Sequence, residues 1–154
     1  MNVRKRFSVI LSMLAVAIAA VIALAPGTAQ AHQSGVHIGL VQYDSPGKDT
    51  GSNTSLNAEW VNIHNATSHG YQMNGWKLKD AAGHTFVFPS YTIGAGKNVK
   101  VHTGRGTKSP GHLYQQRRAY VWNNTGDTAK LYTPGGTLHD SCKWGNGGGS
   151  ISCH

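Results

Sequence analysis

The chain has 154 residues, with 14 Lys and Arg against 6 Asp and Glu, a formal net charge of +8 with histidines neutral. That length gives one domain with a real but small core and leaves no candidate second domain. The basic balance suits nucleic acid, anionic cell-wall polymers or acidic partners, and at its plainest only keeps a protein soluble.

Arg4, Lys5 and Arg6 precede an uncharged run over 7–24, then Pro26-Gly27 and Ala29-Gln30-Ala31. A basic region, an apolar region and an A-x-A site, in that order, predict a secretory signal peptide over 1–31, cleaved after Ala31. The competing reading is a retained anchor, because the apolar run is about as long as a marginal membrane span. Pro26 and the small residues before His32 favour cleavage. The expected product is a secreted domain over 32–154 with no stable membrane insertion. It retains eleven Lys and Arg against six acids.

Val36–Tyr43 alternates as a first strand, and 44–55, with its Pro, Gly, Asp and Asn, reads as a loop. The central stretch runs from Leu56 to Asp80 and predicts two strands. In the first, Glu59, Val61 and Ile63 face one way and Ala58, Trp60 and Asn62 the other; the second is Met73–Asp80. Asp80-Ala81-Ala82-Gly83 then turns into His84–Phe88 as a hairpin, ended by Pro89. Asn98–His102 alternates again with Val99 and Val101 inward. Residues 103–116 read as the longest irregular piece. Tyr120–Trp122, Ala129–Tyr132 and Leu138–Trp144 complete about eight short strands, with no helical period after the leader. Short strands broken by Gly and Pro give an all-β sandwich or barrel. Trp60, Trp76, Phe86, Phe88 and Trp122 are its expected core.

Cys142 and Cys153 enclose the glycine-rich segment KWGNGGGSIS. Export makes a disulfide between them the expectation, a staple for a tail that would otherwise fray. Their spacing is too wide for a reactive C-x-x-C pair.

Several motifs in one order resemble the lamin-tail domain. They are Asn57-x-Glu59-Trp60-Val61-x-Ile63-x-Asn65, Gly75-Trp76-x-Leu78-x-Asp80, Phe86-x-Phe88-Pro89, Gly96-x-x-Val99-x-Val101-His102-Thr103-Gly104, and Val121-Trp122-Asn123-Asn124-x-Gly126-Asp127-x-Ala129-x-Leu131. The resemblance spans 36–142. It implies an immunoglobulin-like β-sandwich and a role in binding or tethering, with proposed contacts to nucleic acid or proteins. It carries over no catalytic residue, and it offers no function for the cysteine-bridged tail.

No catalytic set emerges from the residues themselves. Glu59, an acid inside an apolar strand, is expected to bond backbone amides or a basic side chain, and Asp127, in the NNTGD turn, to cap backbone amides. No carboxylate pair, nucleophile elbow or acid cluster announces a hydrolase or nuclease. Nine histidines are a surplus, and cleavage after Ala31 would leave His32 first, a residue able to grip copper through its amine and ring. A metal-dependent enzyme using His32 is therefore weighed. The expectation is nevertheless no metal and no cofactor, with the histidines, His64 and His69 among them, scattered on polar faces.

The interaction candidate is the basic loop of Arg105, Lys108, Tyr114, Arg117 and Arg118. Guanidinium groups pair with phosphate and aromatics stack on bases or sugars; the bland alternative is a solvated loop. The expected activity is non-enzymatic binding or scaffolding. Candidate partners are extracellular DNA, an anionic wall polymer or another exported protein, the last through a sheet edge or exposed aromatics.

Overall fold

The computed structural model describes residues 34–154, so the leader, its cleavage point and His32 lie outside the described residues. The elements are β1 (Val36–Gln42), α1 (Asn53–Ala58), β2 (Trp60–Asn65), β3 (Tyr71–Gln72), β4 (Lys77–Lys79), β5 (Thr85–Val87), β6 (Thr92–Ile93), β7 (Asn98–His102), β8 (His112–Tyr114), β9 (Asp127–Tyr132), β10 (Leu138–Trp144) and β11 (Ser150–Ser152). They build a five-stranded sheet, β11-β1-β2-β7-β8, a four-stranded sheet, β10-β9-β4-β5, and the small pair β3-β6. All pairings are antiparallel except β7 with β8, which is parallel. The all-β sandwich expected from the strand pattern is the observed architecture. No helix among the described residues is long and apolar enough to cross a membrane.

Alternation directs one face of each sheet into a shared core. Val61 and Ile63 of β2, Val99 and Val101 of β7, Leu78 of β4, and Ala129 and Leu131 of β9 are buried together with Phe88, Trp76 and Trp122. On β1 the spacing of buried residues changes from two to three. Val36 and Ile38 are followed by Val41, because the register with β2 shifts between Ile38 and Val41. A bulge inserts one residue and returns the strand to its inward phase. Its extra carbonyl is used, since Gly39 accepts from the Cys153 amide at 2.8 Å.

Several expectations need correction. Leu56–Ala58 is not strand: Asn53–Ala58 is a short helix, capped by the Ser52 side chain, which accepts from the Ser55 amide. Serine at an N-cap satisfies a helical amide that would otherwise have no partner. Of the strand predicted over Met73–Asp80, only Lys77–Lys79 is strand. Gly75 takes φ +77°, so Met73 and Trp76, on opposite faces in a continuous strand, are both buried. Tyr120–Trp122 is not strand either; the amides of Val121 and Trp122 go to the Glu59 carboxylate instead. Four strands were not expected: the small pair β3 and β6, β8 inside the irregular stretch and β11 in the glycine-rich tail.

Among the predicted core aromatics, Trp60 lies half-buried on the outer face of the five-stranded sheet, with the Lys100 ammonium 3.9 Å from its ring centroid. Phe86 is only partly buried against the core. Tyr43 and Trp144 take their places, buried and stacked at 5.0 Å between ring centroids. Cys142 and Cys153 form a disulfide with Cα atoms 5.5 Å apart. Cys142 belongs to β10 of one sheet and Cys153 follows β11 of the other, so the bridge ties the two sheets together.

Candidate anion-binding interface

Four of the six acids are buried: Glu59, Asp80, Asp127 and Asp140. Each serves the backbone. Asp127 accepts from the amides of Ala81, Asn123 and Thr128 at 2.7–3.1 Å. Asp140 takes the amides of Ile38 and Ser141, both at 2.7 Å. Asp80 takes the His84 amide at 2.7 Å and its ring Nδ1 at 2.6 Å. The remaining two, Asp44 and Asp49, both accept from the Asn124 side chain and so sit at one place on the surface. Among the described residues the ion pairs involve only histidine, with Asp80 and Asp140. The eleven lysines and arginines therefore stand without a carboxylate partner, and the surface charge is almost purely positive.

Glu59 organises the loop that carries the arginines. Its Oε1 accepts from the Thr103 hydroxyl at 2.6 Å and from the amides of Val121 and Trp122 at 2.9 and 3.0 Å. These contacts pin both ends of the segment from 103 to 122. Burial pushes the Glu59 carboxyl up to about 7, against the three bonds that favour its charged form. Its second oxygen finds no donor among the described residues, so desolvation outweighs them.

Within the loop the backbone is fixed before any ligand arrives. The Arg105 amide donates to Asn53 Oδ1 at 2.7 Å, while the Arg105 carbonyl accepts from Asn53 and Asn57 at 2.9 and 3.0 Å. Gln116 adopts φ +62°; its side chain donates to the Gly106 carbonyl at 2.7 Å, and the next amide, that of Arg117, goes to the Thr103 carbonyl. Gly106 is required by the Tyr114 ring, which a Cβ there would approach to 2.5 Å.

The structure divides the predicted basic set. Arg105, Arg117 and Arg118 converge around a depression of about 240 Å³, with Gly51, Asn53 and Leu56. Arg117 and Arg118 also wall a second depression of about 360 Å³, with His84, Gln116, Ala119, Tyr120 and Val121. Lys108 stands apart, beside Ser90, Tyr91 and Pro110, with its ammonium 3.4 Å from the Ser90 carbonyl. Tyr114 lies against His102, their ring centroids 5.0 Å apart.

His102 donates from Nδ1 to the Asn57 carbonyl, 2.7 Å away, and its Nε2 meets His112 Nδ1 at 2.9 Å. A carbonyl only accepts, so His102 carries its proton on Nδ1, and His112 donates to it. Among the described residues no three His, Cys, Asp or Glu side chains are grouped to hold a metal. His64 bonds Asn98 at 2.8 Å, and His69 is exposed in the following loop.

Reading one loop missed the lysines of the four-stranded sheet. Lys77, Lys79, Lys130 and Lys143 occupy strand positions whose neighbours point inward. The signal was present in the alternation itself, where outward positions carry lysine and none carries an acid.

Comparison with curated proteins gives no match. A family model described as Lamin Tail Domain matches residues 29–146, most of the chain and every element that positions the arginines. The match agrees with the immunoglobulin-like sandwich seen here and marks the domain as a binding and protein-interaction module. On that span of sequence, carried by the fold just described, the chain belongs to the lamin tail domain family.

Proposed function

We propose that this domain is exported, released after Ala31, and binds an anionic polymer outside the cell through Arg105, Arg117 and Arg118. The observation that carries the reading is the separation of charge. Four acids are consumed inside by backbone amides, and three arginines line one depression beside a loop whose backbone is already bonded in place. A preorganised loop loses little entropy on binding, and guanidinium groups match phosphate geometry. The disulfide supports export, because such bonds persist in oxidising compartments. Lys108 and Tyr114 lie outside the arginine depression.

Binding of a fluorescent single-stranded oligonucleotide and of poly(glycerol phosphate) should weaken steeply with salt, as released counterions require. Replacing all three arginines with Gln should lower affinity for both. Affinity that ignores salt and the arginines alike would refute the reading.

A second reading has its own observation. Val87 and Leu138 are the exposed large hydrophobics, at 53% and 51%, and both lie on the four-stranded sheet. A protein partner docked there would bind in high salt and be lost in the Val87→Ser, Leu138→Ser variant.

A further inference from the structure

Building on the anionic-polymer reading above, we infer that the binding site continues from the arginine loop across the outer face of the four-stranded sheet. The ligand it fits is a single linear polyphosphodiester lying across the strands. The register sets the cations on a diagonal, with Lys79 and Lys130 in one row, Lys143 a row to one side and Lys77 a row to the other. Lys79 of β4 is opposite Thr85 of β5 on one side and Lys130 of β9 on the other. Lys130 is opposite Ser141 of β10, and Lys143, two residues on, is opposite Thr128. Residues directly opposite on neighbouring strands share a face. The intervening residues Leu78, Ala129, Leu131 and Cys142 are core, so the lysines face outward.

The diagonal joins the arginine loop at the edge of the sheet. Arg117 Nη2 lies 3.5 Å from the Thr85 carbonyl, beside the strand that flanks Lys79. The order across the molecule is thus Arg117, Lys79, Lys130, Lys143. Strands are spaced by about 4.8 Å, so three spacings from β5 to β10 cover roughly 14 Å. That distance gives room for consecutive charges of one extended chain.

Two features point to an anionic occupant rather than a solvated surface. First, no acid holds an outward position on these strands. Asp127 and Asp140 are buried, and half-buried Asp44 and exposed Asp49 both sit at Asn124. Secondly, Lys79 and Lys130 are directly opposite, an arrangement that weakens a sheet. A line of phosphates relieves that repulsion. Tyr132, with the Lys79 ammonium 5.3 Å from its ring centroid, adds a stacking surface beside it.

The test uses the exported, disulfide-bonded chain with two probes, labelled oligothymidylate and poly(glycerol phosphate), titrated at several salt concentrations. Each phosphate neutralised on a single strand contributes about −0.7 to the slope of log K against log salt. Three arginines alone give a slope of about −2, and three added lysines bring it to about −4. The Lys79→Gln, Lys130→Gln, Lys143→Gln variant is expected to fall back to about −2. Lys130→Glu is expected to raise the melting temperature, by placing opposite charges face to face, while weakening binding of both probes. A merely structural lysine would not separate those two effects. A triple lysine variant with unchanged slope and affinity overturns the extended site and leaves the arginine reading standing. Loss of neither slope nor affinity in the arginine variant overturns the arginine reading instead. A preference for oligothymidylate that disappears in Tyr132→Leu identifies nucleic acid as the source; equal binding of both probes identifies the shared backbone. Capture by phosphatidylglycerol vesicles, with no binding of either polymer, overturns the proposal in favour of a membrane surface.

Discussion

Glu59 shows how one side chain sets both order and cost. Its single bonded oxygen holds Thr103, Val121 and Trp122 together, and its burial raises its carboxyl to about 7. A raised carboxyl binds protons more tightly in the folded than in the unfolded chain. Its unfavourable term is absent below the unfolded value of 4.5 and complete above about 7, so stability is lost as pH rises through that window. The predicted loss is about 3 kcal/mol, from a shift of roughly 2.5 units at 1.36 kcal/mol each. His37 and His102 act oppositely. Burial lowers both, so each costs stability as pH falls below 6.5. The Glu59 contribution is therefore read as a difference, the wild-type pH profile of denaturant stability minus that of Glu59→Gln. A flat difference between pH 4.5 and 7 would contradict the assignment. The sequence made the need of Glu59 for donors legible, because an acid in an apolar strand must be satisfied, but left backbone amides and a basic side chain as alternatives. It did not show which amides, since these come from 44 to 63 residues away.

At the scale of elements, the tail strand β11 depends on the disulfide. It has three residues, Ser150–Ser152, beside a run of glycines, and Gly147, Gly148 and Gly149 all have positive φ. Such a segment loses much backbone entropy on ordering. The bridge offsets that loss by restricting the unfolded chain, about 2–3 kcal/mol for so short a loop. Replacing both cysteines with Ala should cost about that much stability and raise hydrogen exchange at Tyr43, whose amide donates to Gly149, and at Val41, opposite Ile151 on the same side of the chain, because β1 would become an edge. Unchanged protection there would show that β11 holds without its covalent tie. The Met73–Asp80 stretch marks a limit of pattern reading at this scale. Alternation is a property of continuous strands, and Gly75 interrupts it. Trp76 was rightly expected in the core, but Met73 reached it by a turn that only its pairing partners reveal.

For the whole molecule, the partition of charge is the main result. Six acids and eleven basic residues follow the expected leader, and folding hides four acids without hiding the cations. The effective surface is more basic than the composition alone implies, which favours long-range attraction of polyanions. The proposed export is tested on the entire chain as well. Intact mass of protein secreted by its own leader should begin at His32 and lie two hydrogens below the reduced sum. A mass that includes residues 1–31 would make this a tethered domain.

The sequence by itself determined the class of fold, the family and the inward residues of β2, β7 and β9, because alternation and motif order are local properties of the chain. It also made the disulfide an expectation, with only two cysteines to pair. Tertiary structure alone decided which charges matter. Whether an acid meets solvent or a backbone amide depends on segments distant in sequence. So does the convergence of Arg105 with Arg117 and Arg118, and the alignment of Lys79 with Lys130 across two strands. Register is fixed by hydrogen bonds between strands, and no single strand carries that information.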